Sequence, residues 1–400
     1  MKKAEPAASG PVSFNCQGPF YRLQLKLGLL SQTDLAAPRR ALIFAALGWV
    51  PALLLAFAQG FALNEVHERA FLFDVRVHAI AIAIIAFVLM EKTSDRRMAL
   101  LYNQFVAHDL MPPSSYGRYQ SARQAVQRRS GSALVEGLLL IGAYWLTYVW
   151  LKRGAVRIDG GTWVGHVEQG ALVPTLAGWW ALLVMTPLFL FLMGRWLWRF
   201  VVWGRLLRDL AKYELRLVAT HPDGSGGIAF ISQYPKTYVL FVFALSTVVS
   251  SGVLMHVVYS GASLLTFKFA ALGLILFVVV FFVLPLTAFS AVLKKLKRRG
   301  LSLYGALITR HNLAFEAKWC GSASAGPAEK AEQALGSPDV SSLADIAASY
   351  EQVKKIKALP LSKESILPLL AAAVLPMAAV ATTQVPFKEI LHAVKGMLLI

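Results

Sequence analysis

The chain has 400 residues, of which 56% are hydrophobic and 16% are charged, and its formal net charge is +18. Soluble globular proteins carry about 25% charged residues, so this composition excludes an ordinary soluble domain. Two apolar runs, at residues 41–60 and 273–293, each reach the ~20 residues with which a helix crosses a bilayer core. Because lipid offers no partners to backbone N–H and C=O groups, such runs must be helical. We therefore predict an all-α, polytopic membrane protein.

Seven apolar stretches are candidate membrane-spanning helices. They cover about 40–60, 71–90, 133–151, 172–194, 237–259, 263–290 and 366–385. The second stretch is the weakest candidate, because Asp74, Arg76 and His78 lie in its first turns. Pro368 and Pro376 interrupt the seventh stretch, so it could also be a re-entrant or interfacial segment.

The basic residues predict the orientation of these spans. On alternate sides, the N-terminal tail and three connections hold 32 of the 40 Lys and Arg residues. Since basic residues concentrate on the cytoplasmic side, the N-terminus is predicted inside and the C-terminus outside. The predicted organisation has four parts. They are a cytoplasmic tail (1–39), a six-helix bundle (40–290) with cytoplasmic helical loops (91–132 and 195–236), cytoplasmic helices (291–365) with a flexible linker (320–342), and a final membrane helix with an outer amphipathic helix (366–400).

A long helix is predicted to continue from the fourth span into the cytoplasm, over residues 194–218. At 100° per residue its basic side chains share one face, opposite an apolar face. We predict that these basic residues contact anionic lipid headgroups. They are Arg205, Arg208, Lys212 and Arg216. Trp196, Trp198 and Trp203 are predicted to form an interfacial belt. Lipid accounts for the net charge, so no nucleic-acid partner is expected.

Residues 220–230, THPDGSGGIAF, follow this helix on the predicted cytoplasmic side. The candidate binding loop contains His221, Asp223, Gly224, Gly226 and Gly227. Backbone N–H groups before a helix could bind a phosphate, although the lysine of a P-loop is missing. Two residues are too few for a metal site, and no metal is predicted. Alternatively the glycines only turn the chain through positive φ, with His221 and Asp223 capping helix ends.

Residues 195–230, RWLWRFVVWGRLLRDLAKYELRLVATHPDGSGGIAF, and residues 343–376 resemble a family of uncharacterised bacterial multi-pass inner-membrane proteins. That family combines an Arg- and Trp-rich helix with a His-Pro-Asp-x-x-Gly-Gly turn. The two stretches together cover about a fifth of the chain. The resemblance implies a multi-pass protein of the bacterial inner membrane, but it implies no particular activity.

Ionisable residues inside the predicted spans are few, and they lie near the span ends. An outer polar cluster is predicted from Asp74, Arg76, His78, His256 and Lys268. Intramembrane ionisable residues indicate function by default, and basic groups at an outer mouth favour an anion or a neutral solute. The alternative is a local Asp74–Arg76 pair and a Lys268 that reaches the surface. Prolines 51, 187, 285 and 376 interrupt four spans, and they free carbonyls for other donors.

Three functions of different classes remain open. The first is a channel- or transporter-like protein for an anion or neutral solute, for which a homo-oligomer is one arrangement. The second is a membrane-anchored signalling component that recruits a cytoplasmic partner. The third is a membrane enzyme acting on a lipid headgroup or a nucleotide, but no nucleophile has a base beside it, and no catalytic residue is predicted. Cys16 and Cys320 lie on the predicted inner side, and no cofactor is expected.

Overall fold

The computed structural model describes residues 18–31, 35–63, 70–152, 162–168, 171–320 and 337–384. The first 17 residues, most of the predicted 320–342 linker and the predicted outer helix after residue 384 lie outside this part of the chain. The described residues are largely helical and include one short β-hairpin. The prediction of an all-α membrane protein is thus confirmed.

The helices and strands follow the chain in one antiparallel bundle with an inner extension. The helices are α1 (Pro19–Lys26), α2 (Ala37–Ala58), α3 (Val75–Ala107), α4 (Tyr116–Ser130), α5 (Ala133–Lys152), α6 (Leu176–Ala211), α7 (Val239–Ser260), α8 (Lys268–Val283), α9 (Ser290–Trp319), α10 (Pro338–Lys354) and α11 (Lys363–Ala381). Short 3₁₀ segments at Ala229–Tyr238 and Leu284–Phe289 lead into α7 and α9. Strands β1 (Gly165–Glu168) and β2 (Ala171–Pro174) pair antiparallel, between α5 and α6.

Within the described residues, six helical segments are long and apolar enough to cross a membrane. They contain α2, α5, α6, α7, α8 and α11, and they match six of the seven predicted spans. Helix α3, the predicted second span, is not among the six. It runs for 33 residues and packs against both α2 and α7, where it forms the buried centre of the bundle. Helix α11 is continuous through its two prolines, which favours a span over a re-entrant segment.

The segment predicted as a helical loop over residues 91–132 is helical and forms a hairpin, but its first arm is not a separate helix. Helix α3 continues without interruption from the bundle to Ala107, and α4 returns beside it. Tyr102 and Tyr119 join the two arms, because each hydroxyl donates to the other residue's carbonyl, at 2.6 and 2.5 Å. Their rings stack with centroids 4.2 Å apart.

The predicted helix over 194–218 is shorter than expected. Helix α6 ends at Ala211, and the backbone N–H of Arg216 donates to the Leu110 carbonyl at 2.9 Å. This tertiary hydrogen bond replaces the helical one. Trp196 and Trp203 are buried in the core, and the predicted tryptophan belt is therefore wrong for both residues.

Neighbouring side chains occupy the carbonyls that the prolines free. Pro51 cannot donate to the Leu47 carbonyl four residues earlier, and Trp180 Nε1 donates to that oxygen instead, at 3.1 Å. In the same way, Tyr144 Oη donates at 3.0 Å to Leu183, four residues before Pro187. A π-helical turn at Ala181–Met185 precedes this proline. These bonds tie neighbouring helices together, so the prolines by themselves do not indicate a gate.

Candidate functional site

Five ionisable side chains are buried together at the end of the bundle that the sequence predicts to be cytoplasmic. This ionic cluster consists of Arg40, Glu91, Glu136, Arg195 and Arg199. It joins α2, α3, α5 and α6. Charged side chains are almost never fully buried unless they are paired, so such a cluster needs a specific explanation.

Glu91 is the centre of the ionic cluster. Arg40 Nη2 donates to its Oε2 at 2.7 Å, and Arg199 Nη2 donates to its Oε1 at 3.1 Å. Arg195 Nη1 lies 3.6 Å from the same Oε1, while Arg195 Nε lies 3.3 Å from Oε1 of Glu136. The guanidinium of Arg199 also stands over the Trp196 ring, 4.6 Å from its centroid. Arg195 thereby links the two carboxylates.

The short helix α1 covers the ionic cluster on one side. The backbone N–H of Phe20 donates to Glu136 Oε2 at 2.7 Å. Arg40 Nη1 donates to Gln24 Oε1 at 2.6 Å, and Arg195 stands 4.6 Å over the Phe20 ring. Beside this contact lies an inner cavity of about 620 Å³, which Glu136 borders together with apolar side chains such as Leu140 and Phe191.

Among the described residues, the two acids of the ionic cluster do not fully compensate its positive charge. Three arginines face two glutamates, which leaves one formal positive charge among these five side chains. Arg40 Nε, Arg195 Nη1 and Arg199 Nη1 are buried donors with no hydrogen-bond partner among the described residues, and the acceptor Glu136 Oε1 is in the same position. Guanidinium groups match the oxygen atoms of carboxylates and phosphates. The arrangement can therefore accept one more anion.

The helix lengths explain why the cluster forms at this depth. Arg195 follows the start of α6 at Leu176 by 19 residues, or about 29 Å at 1.5 Å per residue. This distance is close to the thickness of the hydrocarbon core. Arg40 lies in the first turn of α2, and Glu136 lies in the first turn of α5. In the predicted orientation, the cluster thus lies at the inner boundary of the membrane.

The sequence pattern does not predict this site, because the apolar runs place Arg40 and Arg195 outside the spans, in the cytoplasmic segments. One indication was available. Arg195 and Arg199 are spaced four residues apart and lie on the same side of α6 as Val202 and Leu206, which are buried. Arginines on the apolar stripe of a helix cannot face solvent, so they predict a buried acidic partner. That partner, Glu91, is more than 100 residues away in the sequence.

The predicted outer polar cluster separates into three parts. Asp74 and Arg76 form an ion pair of 2.7 Å, as the local-pair alternative had it. His78 instead contacts Trp49 Nε1 at 3.2 Å and the Leu72 carbonyl at 3.0 Å. Elsewhere, His256 stacks on Phe267 and Lys268 stands over the Phe269 ring. No contact described in this part of the chain joins His256 or Lys268 to the Asp74–Arg76 pair.

The loop around His221 and Asp223 is organised by the Asp223 carboxylate. It accepts hydrogen bonds from the N–H groups of Ser225, Gly227 and Ala229, at 2.8 to 3.1 Å, and it lies 2.9 Å from His221 Nδ1. Burial alone would raise the pKa of Asp223, but these hydrogen bonds outweigh it and hold the pKa below its usual range. The acid thus has a structural role, as a turn would require.

The glycines of this loop have the conformations that a turn requires. Gly224, Gly226 and Gly227 have φ of 63°, 67° and 99°, where other residues are strained. The Gly224 carbonyl also accepts from the N–H of Lys357, at 2.9 Å. The loop therefore anchors the segment between α10 and α11. A ligand role for His221 and Asp223 stays a prediction.

The four basic residues predicted to contact lipid, Arg205, Arg208, Lys212 and Arg216, are all exposed. Only the first two lie on α6, because this helix ends at Ala211. A binding role for them remains a prediction.

The Ser337 side chain caps the start of α10. Within the described residues, no group of three or more His, Cys, Asp or Glu side chains could hold a metal ion.

Comparisons of this chain with protein-family models, with curated proteins and with solved structures give no match. The family resemblance therefore stays a prediction, and arguments about function rest on the residues themselves.

Proposed function

We propose that this membrane protein is transporter-like and carries an anionic solute, for which the ionic cluster is the inner binding site. The single observation that supports this proposal is the uncompensated positive charge of Arg40, Arg195 and Arg199 beside only two carboxylates. The proposal selects the anion from the two solute classes that the sequence left open.

The energetics of buried charge favour an anion-binding site over an ion-pair network with only a structural role. Removing an ion from water costs several kcal/mol, even after the protein relaxes. A structural ion-pair network reduces this cost best when its charges balance and its donors are all used. Here the charges do not balance, and Arg199 Nη1 has no hydrogen-bond partner in the described chain. A bound anion would supply both the missing charge and the missing acceptor.

The position of the cluster suits the inner end of a pathway. Helix α1 separates it from the cytoplasmic side through the contacts of Phe20 and Gln24. Because α1 is only eight residues long, we expect it to move aside when an anion enters. The inner cavity borders the cluster only at Glu136, so an anion reaches the arginines only after α1 has moved.

Anion-dependent stability tests the binding step. A ligand that binds only the folded protein stabilises it by about 2.7 kcal/mol at one hundred times its Kd. We expect phosphate, sulfate or short carboxylates to raise the melting temperature of the purified protein in a saturable way. Arg199→Gln, which makes the cluster neutral, should abolish this rise. Arg205→Gln is the matched control, because Arg205 is exposed on the same helix.

Flux through reconstituted vesicles tests the transport step. We expect the parent protein and Arg205→Gln to release the trapped anion that gave the stability shift, and we expect Arg199→Gln to release it only at the rate of protein-free vesicles. If the protein binds the anion but vesicles show no flux, the protein binds anions without transporting them, and the transport proposal is rejected. An equal anion-dependent rise in melting temperature for the parent and for Arg199→Gln would show that the ionic cluster has only a structural role.

A further inference from the structure

A second cavity, of about 590 Å³, lies at the opposite end of the bundle. We name it the outer cavity. It is enclosed by residues of α3, α5, α6 and α7, and the loop residue Trp163 closes its outer end. Its volume falls within the ~300–1,000 Å³ of ordinary small-molecule sites. The outer cavity shares no lining residue with the ionic cluster.

The wall of the outer cavity is apolar and borders the lipid-facing surface. Leu182, Phe189 and Val248 line its depth, whereas Leu146 and Trp150 line it from α5. The last two side chains are exposed on the outside of the bundle, where lipid surrounds the protein. A long hydrocarbon chain could therefore enter from the bilayer without crossing water.

The helix that forms one side of the cavity departs from regular geometry here. The π-helical turn at Ala181–Met185 places Ala181, Leu182 and Met185 in the cavity wall. Single π-helical turns within α-helices are rare and occur frequently at functional sites. This π-helical turn widens α6 beside the outer cavity.

One charged group is available at the outer end of the cavity. The Asp74 carboxylate is saturated, since it accepts from Arg76 Nε, Nη2 and N and from Trp163 Nε1, at 2.7 to 3.1 Å. Its side chain is 2% exposed, whereas that of Arg76 is 36% exposed. A ligand in the cavity therefore meets the guanidinium and not the carboxylate.

We infer that the outer cavity binds a single-chain lipid whose hydrocarbon tail lies along Phe189 and Val248 and whose anionic headgroup pairs with Arg76. A carboxylate or a phosphate satisfies the same chemistry, because each presents oxygen atoms to a guanidinium. A neutral amphiphile fills the same apolar space but lacks the partner for Arg76. This inference does not depend on the proposed anion pathway, because its residues lie in a different part of the bundle.

Gly252 allows the cavity to be closed without disturbing its walls. It lines the outer cavity, and a Cβ added to it meets no atom within 4 Å. Gly252→Leu should therefore fill space that the tail would occupy. Gly273 of α8 is the matched control, since an added Cβ also meets nothing there and it does not line the cavity.

The experiment measures binding of oleate, oleoyl lysophosphatidate and oleyl alcohol to the delipidated, purified full chain by native mass spectrometry. We expect one molecule of at least one acid to bind more tightly than the alcohol. Gly252→Leu should weaken binding of that acid by more than about tenfold, while Gly273→Leu binds as the parent does. The acid that binds more tightly identifies the headgroup, carboxylate or phosphate.

A second variant tests the headgroup contact and does not depend on the folding of Gly252→Leu. Asp74→Asn combined with Arg76→Gln keeps a polar pair but removes both charges. We expect this double variant to bind the acid about fivefold less tightly than the parent does, because one basic contact is lost. Its affinity for oleyl alcohol should equal that of the parent. Equal affinity of the alcohol and both acids for the parent, or parent-like binding of the acid to both variants, would overturn the inference.

Discussion

Replacing Glu91 with Gln should destabilise the protein more than any other neutral substitution of an acid in the bundle. Among the described residues, only the Glu91 carboxylate contacts all three arginines of the ionic cluster, at 2.7, 3.1 and 3.6 Å, and its side chain is 7% exposed. Glu91→Gln raises the formal charge of the five side chains from one to two and leaves Arg40 without its buried counter-ion.

The magnitude follows from the burial of the cluster. Removing one partner of a buried ion pair typically costs about 3–5 kcal/mol, because the other charge stays buried and uncompensated. This loss is about a third of the total stability of a typical domain. For Glu91→Gln we expect a loss at the upper end of this range, since three arginines share the carboxylate. Glu316→Gln is the control, because Glu316 is exposed on α9, where we expect a change of less than about 0.5 kcal/mol.

Unfolding in detergent, followed by tryptophan fluorescence, measures both variants. Adding Arg199→Gln to Glu91→Gln returns the formal charge to one, and we expect the double variant to be more stable than the sum of the two single losses predicts. The coupling free energy should be about 0.5–3 kcal/mol, as for residues in one network. A Glu91→Gln protein as stable as Glu316→Gln, or purely additive losses, would refute the assignment of Glu91 as the shared counter-ion.

Three further predictions concern the loops and the orientation. Because the folded pKa of Asp223 is lowered, its stabilising contribution is present above its ordinary pKa of about 3.9 and is lost as pH falls through the folded value. Asp223→Asn should therefore flatten the acid limb of a stability–pH profile measured by denaturation, and an unchanged limb would contradict this account. Gly226→Ala should cost more than Gly261→Ala, since both have positive φ but only the added Cβ at Gly226 meets a side chain, Leu296, at 2.7 Å. Equal losses in melting temperature would show that backbone strain alone matters. A membrane-impermeant thiol reagent should label His166→Cys in intact cells and should label the native Cys320 only after permeabilisation, with the other native cysteine replaced by serine. Labelling of Cys320 in intact cells would reverse the predicted orientation.

The sequence by itself determined the class of the protein and the positions of the six helical segments that are long and apolar enough to cross a membrane. Both follow from local properties, because an apolar run of sufficient length must form a helix in lipid whatever surrounds it. The turn at residues 224–227 was also readable, since closely spaced glycines after a proline favour positive φ.

Only the tertiary structure decided which side chains meet. Arg40 and Glu91 are 51 residues apart, and Glu91 and Arg199 are 108 residues apart. Hydrophobic periodicity in the sequence identifies the buried face of a helix, but it does not identify the helix that this face contacts. The early end of α6 has the same origin, because the Leu110 carbonyl competes with the helix for the N–H of Arg216. Both cavities also arise between helices that are distant in the sequence, and their shapes depend on packing that no single segment encodes.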